Sequence, residues 1–364
     1  MKAIIFSLPG NKSLAESITA GIKGEKGDFE IRQFPYGETY VRVLSDVKEK
    51  NAFIVCTLHQ PDAKLLPLLF LCNLLRDLNV KSICLVAPYL AYMRQDKQFI
   101  PGEAVTSKYF AKLLSSLVDR LITIDPHLHR RVSMKEIYSI PCEVLHAAGL
   151  ISEWIKNNIP NAILIGPDSE SEQWVSEVAK NAGVPFMVLQ KIRHGDSDVE
   201  VSVPQVEKYE NSIPVLVDDI ISTARTMIET VTHLKNAGMK PPVCIGVHAV
   251  FSGNAFKELK KSGIGKIITC NTIPHSSNGV DITALICKSI DRKQVELKST
   301  ITCPHCAHKK VETMPTDACQ YFYECENCQE TLKPKEGDCC VYCSYGTVKC
   351  PSKQAETNAV DIKM

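Results

Sequence analysis

The sequence predicts an α/β protein with two tandem domains of similar size, each built on a mostly parallel sheet, followed by a small Cys-rich module. Three observations lead there. Short apolar runs alternate with amphipathic stretches from residue 1 to about residue 290. A new strand-helix series begins near CEVLHAAGLISEWI (142–155), dividing that region into 1–145 and 146–291. Beyond SIDRKQVELKST (289–300) the composition turns to Cys, Pro, Lys and Glu, which marks a third domain over 297–354 and a frayed tail over 355–364.

The apolar runs are AIIF, NAFIVCTL, SICLVAPY, RLITID, NAILIGPD, PVLVDD, VCIGVHAVF and KIITCN. They read as parallel strands, because a strand covered on both faces has no polar face to display. KLLPLLFLCNLLRDLN (64–79) and SKYFAKLLSSLV (107–118) carry helical spacing and supply the crossovers that parallel strands require. Eight or more strands exceed one compact sheet, hence two domains.

Of 364 residues, 45% are hydrophobic and 23% charged, the balance of a globular chain. A net charge of +1 gives no general attraction to nucleic acid or to an anionic membrane, so an anion must be bound by a local arrangement. The apolar part of MKAIIFSLPG is too short for a signal peptide, and no apolar stretch reaches the roughly 18 residues of a membrane span. A cytoplasmic location is expected. The 16 cysteines divide unevenly: seven, in apolar segments of the first 300 residues, read as small buried hydrophobes in a reducing compartment, whereas nine crowd between Cys303 and Cys350.

Ligands of open α/β sheets bind beyond the carboxyl ends of strands. Here those ends are polar: Asp125 followed by Pro126-His127-Leu128-His129, then Asp168, then Asp218-Asp219, with Arg94, Gln95 and Asp96 following SICLVAPY. Any one could be a capped loop or a surface ion pair, but all four at equivalent positions are hard to ascribe to chance. VLVDDIISTART (215–226) is the most telling. A helix whose apolar face carries Met227, Ile228, Val231 and Leu234 needs only one carboxylate as a cap. Asp218 and Asp219 suit a vicinal diol, while Ser222, Thr223, Ala224, Arg225 and Thr226 offer hydroxyls and free amides at a helix start for a phosphate.

Residues 1 to 290 resemble the ribose-phosphate pyrophosphokinases, also called phosphoribosyl pyrophosphate synthetases. The acidic strand and its loop would equally suit a phosphoribosyltransferase. FPYGE (34–38), YMRQDKQFIPGE (92–103), IDPHLHR (124–130) and LQKIR (189–193), in the family's order and approximate spacing, separate the two. The resemblance implies two phosphoribosyltransferase-like domains and a ribose-phosphate diphosphokinase, which moves pyrophosphate from Mg-ATP to ribose 5-phosphate. It implies that Phe34 and Glu38 hold adenine, usually in a neighbouring subunit, so that the active site lies at the interface of a homo-oligomer. Arg94, Gln95 and Asp96 match the ATP-binding RQD motif, His127 and Asp168 the Mg2+-associated positions, and Lys191 and Arg193 the catalytic loop. A phosphoribosyltransferase and a catalytically silent regulatory paralogue are the alternatives. Many family members carry Gly where this loop has Ala224 and Arg225, so a conformation natural to glycine is expected to be strained here. RQDKQFIPGE and DDIISTART look like the branch reported in archaea and some bacteria, which argues against control by phosphate and ADP.

In the C-terminal module, Cys303-x2-Cys306, eighteen residues and Cys325-x2-Cys328 have the spacing of a zinc ribbon, in which four thiolates hold one Zn2+. A domain with so few aliphatic residues needs that metal to fold. GDCCVYCSY (337–345) resembles the signature of small bacterial proteins named for a GDCCVxC motif, some of them described as selenoproteins. That resemblance implies redox or metal-handling chemistry. Cys340 and Cys343 have the spacing of a redox pair, and a second structural metal site is the other reading.

Overall fold

The computed structural model describes residues 2–128, 130–166, 172–193, 199–202, 206–291, 297–315 and 318–354. They gather into two compact units, Met1–Ser289 and Ile290–Met364.

The first unit begins with β1 (Ala3–Ser7), α1 (Lys12–Gly21), β2 (Glu25–Lys26) and a hairpin of β3 (Phe29–Gln33) and β4 (Thr39–Val43). It continues through β5 (Asn51–Val55), α2 (Asp62–Asp77), β6 (Ser82–Ala87), α3 (Thr106–Leu117), β7 (Arg120–Ile124) and β8 (Cys142–Leu145). Six of these strands pair in parallel in the order β2-β1-β5-β6-β7-β8. Every residue of β7 is buried, which is why its sequence alternates so little.

The series then repeats: α4 (Ala148–Asn158), β9 (Ala162–Gly166), α5 (Glu172–Ala182), β10 (Phe186–Val188), and the hairpin β11 (Gln190–Arg193) and β12 (Val199–Ser202). β13 (Ile213–Ile221), α6 (Arg225–Asn236), β14 (Val243–Ala249), α7 (Ala255–Lys261), β15 (Lys266–Cys270), β16 (Asn278–Val280) and α8 (Thr283–Asp291) complete it. The second sheet, β10-β9-β13-β14-β15-β16, is parallel with the same order as the first. In each, the second strand lies outside the first and the third returns to its other side. That reversal leaves a crevice at the carboxyl ends of β1 and β5, and of β9 and β13.

The two sheets meet through these carboxyl ends. Beyond β5, the Thr57 hydroxyl donates to the Thr272 carbonyl beyond β15 at 2.7 Å. His248, on β14, reaches the Ile124 carbonyl that ends β7 at 3.1 Å. The crevice of the first sheet is filled by the chain itself. Asn11 accepts the Thr57 amide at 2.8 Å, and Lys64 Nζ donates to the carbonyls of Thr57 and His59 at 2.8 and 2.6 Å. The corresponding crevice of the second sheet is where the acidic pair stands.

The cysteines of this unit behave as small hydrophobes. Cys56, Cys72, Cys84, Cys244, Cys270 and Cys287 are buried and unbridged, and Cys142 is half-buried. Burial pushes the thiols of Cys56, Cys72 and Cys84 up to about 12, so they stay protonated and unreactive. No helix among the described residues is long and apolar enough to cross a membrane.

The second unit holds the antiparallel pairs β17 (Lys298–Thr302) with β18 (Lys309–Thr313) and β19 (Tyr323–Glu324) with β20 (Thr331–Leu332), then the short helix α9 (Val341–Tyr345). Its core consists of Ile301, Met314, Tyr323, Leu332, Val341 and Tyr342 packed among cysteines.

Candidate active site and cysteine clusters

β13 is buried from Pro214 to Val217 and then presents the half-buried Asp218 and Asp219. The strand does not end at the pair, as its sequence implies, but runs on to Ile221, because Ile220 and Ile221 keep their register with His248 and Ala249 of β14. The Asp219 amide donates to Asp218 Oδ1 at 2.9 Å, which turns that carboxylate toward its neighbour. Neither aspartate caps the following helix. The N-cap of α6 is Ala224, with no side-chain cap.

The loop between β13 and α6 is pinned by its carbonyls, Ile221 accepting the Phe251 amide at 2.8 Å and Ser222 the Ser252 amide at 3.1 Å. The first-turn amides of α6 have no carbonyl partner within the helix and, with the dipole, favour an anion. Ser222 is half-buried, and Thr223, Arg225 and Thr226 are exposed around that turn. Ala224 is buried in the left-handed region, with φ 57° and ψ 9°. A Cβ there costs roughly 1–2 kcal/mol, partly offset by the lower entropy of an unfolded alanine. Ala224→Gly is therefore expected to stabilise the first unit by about 0.5–1 kcal/mol, read as a raised urea midpoint with an unchanged slope. A lowered midpoint would contradict the strain.

Opposite this loop, β7 runs into Asp125-Pro126-His127, where Asp125 and His127 hold φ 35° and 53°. Positive φ at two non-glycine residues is a strain that the surrounding structure must hold. It brings His127 Nδ1 to 2.6 Å from Asp219 Oδ2, with both side chains about one-fifth exposed (21% and 22%). Asp125 serves the structure instead, contacting His146 Nδ1 at 2.8 Å and accepting the Ala147 amide at 2.9 Å at the start of α4. Its bond to the imidazole raises the pKa of His146.

Among the described residues, the groups of three or more close metal-ligating side chains are the two cysteine sets. A hard cation such as Mg2+ prefers oxygen donors, so the imidazole of His127 would reach it through water. Asp168, expected beside it, and His129 lie outside the described residues.

The remaining expected residues fall on three other elements. Asp96 accepts Arg130 Nη1 at 3.0 Å and, through its carbonyl, Arg131 Nη2 at 3.2 Å; its side chain is 3% exposed. Gln95 is half-buried and Arg94 exposed. Phe34 and Glu38 close the β3–β4 hairpin, where the Phe34 amide donates to the Glu38 carbonyl at 2.8 Å. Phe34 stacks on Tyr36 with centroids 5.3 Å apart, and Arg32 lies 4.8 Å over the Phe34 ring. Tyr36 is 70% exposed, so this loop presents an aromatic, cation-backed surface outward. Lys191 and Arg193 lie on β11, opposite Val201 and Val199 of β12.

Sequence reasoning missed Tyr89 and His248. His248 is buried and burial lowers its pKa; its Nε2 lies 3.1 Å from the Ile124 carbonyl and its Nδ1 2.9 Å from the Thr272 hydroxyl, which itself donates to the Val247 carbonyl at 2.8 Å. Tyr89 meets that ring edge-on at 5.1 Å, and its hydroxyl, its pKa raised by burial, feels both Arg94 and Asp219. The only signal was a tyrosine closing the apolar run SICLVAPY.

In the second unit, two knuckles repeat one geometry. The amides of Ala307 and Gln329 donate to the carbonyls of Cys303 and Cys325 at 2.9 and 2.8 Å, and both donors take positive φ, 60° and 59°. The sulfurs of Cys303 and Cys328 lie 3.8 Å apart and those of Cys306 and Cys325 3.6 Å. All four lie within 4.8 Å of one another. Four soft thiol donors in this arrangement fit a tetrahedral zinc ion. Asn327 and the His308 amide draw the Cys306 thiol down to about 6, toward the thiolate that a metal takes. Cys339, Cys340, Cys343 and Cys350 form a second group of four.

Comparison with known proteins agrees with this architecture. Residues 3–117 match the profile of the N-terminal domain of ribose phosphate pyrophosphokinase, and residues 133–284 that of the phosphoribosyl transferase domain. Ribose-phosphate pyrophosphokinase 2 of Archaeoglobus fulgidus is 32% identical over 286 residues, covering 79% of this chain and 99% of that protein. The chain belongs to the ribose-phosphate pyrophosphokinase family. The pyrophosphokinase of Pyrococcus abyssi is 30% identical across 79% of this chain and 98% of its own length. Phosphoribosylpyrophosphate synthetase from Mycobacterium smegmatis shares the fold, with a TM-score of 0.70 at 23% identity over 80% of this chain and 98% of that one. The second of the two profile matches ends at residue 284, ahead of the cysteine module.

Proposed function

We propose that the chain is a ribose-phosphate diphosphokinase: the anomeric hydroxyl of ribose 5-phosphate attacks the β-phosphorus of ATP, giving 5-phospho-ribosyl diphosphate and AMP. The observation that carries this reading is the 2.6 Å contact between His127 and Asp219, which joins the strand ends of both halves in a chain of this family. In this reading Asp218 and Asp219 accept from the vicinal hydroxyls of the sugar, and the turn from Ser222 to Thr226 holds its 5-phosphate. Arg94, Gln95 and Asp96 take the ATP phosphates and ribose. Phe34 and Glu38 take adenine, presented to the active site of a neighbouring subunit, so the working form is a homo-oligomer. Lys191 and Arg193 stabilise the charge that builds as the pyrophosphoryl group is transferred. Mg2+, held by His127 through water and by Asp168, would supply neutralisation of the triphosphate.

AMP formation from ATP, measured with and without ribose 5-phosphate, tests the reading. Sugar-dependent AMP supports it; a folded protein that forms none, or that joins a base to phosphoribosyl diphosphate instead, refutes it. Asp219→Asn is expected to weaken ribose 5-phosphate by roughly 10- to 100-fold, the loss of a hydrogen bond to a charged group, while ATP affinity changes little. Calorimetric titration of each ligand checks this. Equal weakening of both would give the pair another role.

A further inference from the structure

Cys303, Cys306, Cys325 and Cys328 account for four of the nine cysteines crowded beyond residue 300. Four of the remaining five converge on one point, in a pattern of two adjacent thiols, a third after two residues and a fourth after six more. The Cys339 sulfur lies 3.3 Å from that of Cys350 and 3.5 Å from that of Cys343. Cys343 lies 3.5 Å from Cys350 and 3.7 Å from Cys340. A disulfide needs about 2.05 Å, and only two sulfurs. Four sulfurs about 2.3 Å from one tetrahedral ion lie about 3.8 Å from each other. The separations here, and in the first cluster, lie close to that edge length.

The rest of the module builds this arrangement. Lys335 donates its amide to Ser344 Oγ, and that hydroxyl donates to Asp338, both at 2.8 Å, bracing the turn that carries Cys339, Cys340 and Cys343. Cys350 comes from further along the chain and is brought back by β17. The Thr347 amide donates to the Thr300 carbonyl at 3.1 Å and the Val348 amide to Ser299 Oγ at 3.0 Å. Gly346 allows this approach, since a Cβ there would stand 2.4 Å from Ser299 Oγ and 2.6 Å from the Tyr342 carbonyl. Cys340 and Cys350 are buried, at 0% and 2% exposure. Crowding four thiols, two buried and two half-buried, around one point costs free energy that a shared cation would recover.

We propose that Cys339, Cys340, Cys343 and Cys350 hold a second zinc ion as a four-thiolate site, distinct from the one held by the two knuckles. Binding converts thiols to thiolates, releasing their protons to solvent, and involves no electron transfer. A Cys340–Cys343 disulfide would withdraw two of the four ligands, so oxidation and metal binding exclude each other at this site. The site leaves Cys319, which is exposed, as the one cysteine of the module outside both groups.

The test is the zinc content of the full-length protein, purified under reducing conditions and freed of loose metal with a weak chelator. Two zinc ions per chain are expected. Cys343→Ser should lower the count from two to one, Cys328→Ser should do the same, and the double variant should hold none. Because either substitution could unfold the module, the wild-type chain gives a second readout. Alkylation of the native protein should spare both groups of four until a strong chelator is added, as mass mapping of the modified residues would show. Cobalt(II) loading should give a sulfur-to-cobalt charge-transfer band that halves in Cys343→Ser. One zinc per chain with Cys339 and Cys343 open to alkylation would overturn the proposal. So would iron in place of zinc at the second group, or a Cys340–Cys343 disulfide in the freshly purified reduced protein. None of these outcomes depends on whether AMP is formed.

Discussion

Lys191→Ala is expected to lower turnover by roughly 100- to 1,000-fold while ATP affinity stays nearly constant, the signature of a cation that acts on charge developing in the transition state. In the proposed reaction, bound ATP would already have its phosphate charge met by Mg2+ and by the RQD segment. What the lysine would add appears only as the bond to the β-phosphorus lengthens and charge accumulates on the departing AMP oxygen and the transferred group. Lys191 lies on β11, in a two-stranded ribbon that belongs to neither six-stranded sheet, so its replacement removes no strand from either core. Steady-state kcat for AMP formation, set beside an equilibrium Kd for ATP, separates the two effects. Turnover equal to wild type would sink the assignment. A matching loss in ATP affinity would move the lysine to ground-state binding.

The parts of this fold that could be read in the sequence are those where burial leaves few options. β5, β6, β7, β9, β13, β14 and β15 each coincide with an apolar run, because strands packed on both faces cannot alternate. The β3–β4 hairpin escaped, since its residues are half-buried or exposed and form a separate ribbon. The edge strands β2, β10 and β16, two or three residues long, carry too little pattern to read. At the candidate site, Asp218, Asp219 and the turn after them could be singled out because two adjacent carboxylates after an apolar run are costly without a ligand. Asp125 shares that position at a strand end yet serves His146 and Ala147, and nothing local in RLITID distinguishes the two roles. Tyr89 and His248 were invisible for the complementary reason: their role lies in joining two halves whose meeting no local pattern encodes. The second group of thiols was half legible. Its first three members are neighbours in sequence, but Cys350 joins them only through pairing with Ser299 and Thr300, some fifty residues earlier.

Stripping zinc from the full chain is expected to unfold residues 297–354 and leave the first unit folded, with phosphoribosyl diphosphate synthesis intact. The module's apolar core amounts to Ile301, Met314, Tyr323, Leu332, Val341 and Tyr342 besides its cysteines. A core of that size seldom yields more than about 3–5 kcal/mol, before the crowded thiols are counted. Binding of a structural zinc ion is worth about 10–16 kcal/mol at neutral pH, so metal, not packing, is expected to decide whether the module folds. Met1–Ser289 forms a compact unit of its own, with two complete sheets and every residue assigned to ATP or ribose 5-phosphate. Calorimetry should therefore show two transitions in the metal-loaded protein. A strong chelator should abolish the one belonging to the module and leave the other within about 2 °C of its place, a shift smaller than 1 kcal/mol would produce. A chain ending after Asp291, the last residue of α8, should form AMP at the rate of the full chain. A folded truncated chain without synthase activity would place an essential group of the active site in the module, and the separation of catalysis from the thiol clusters would fail.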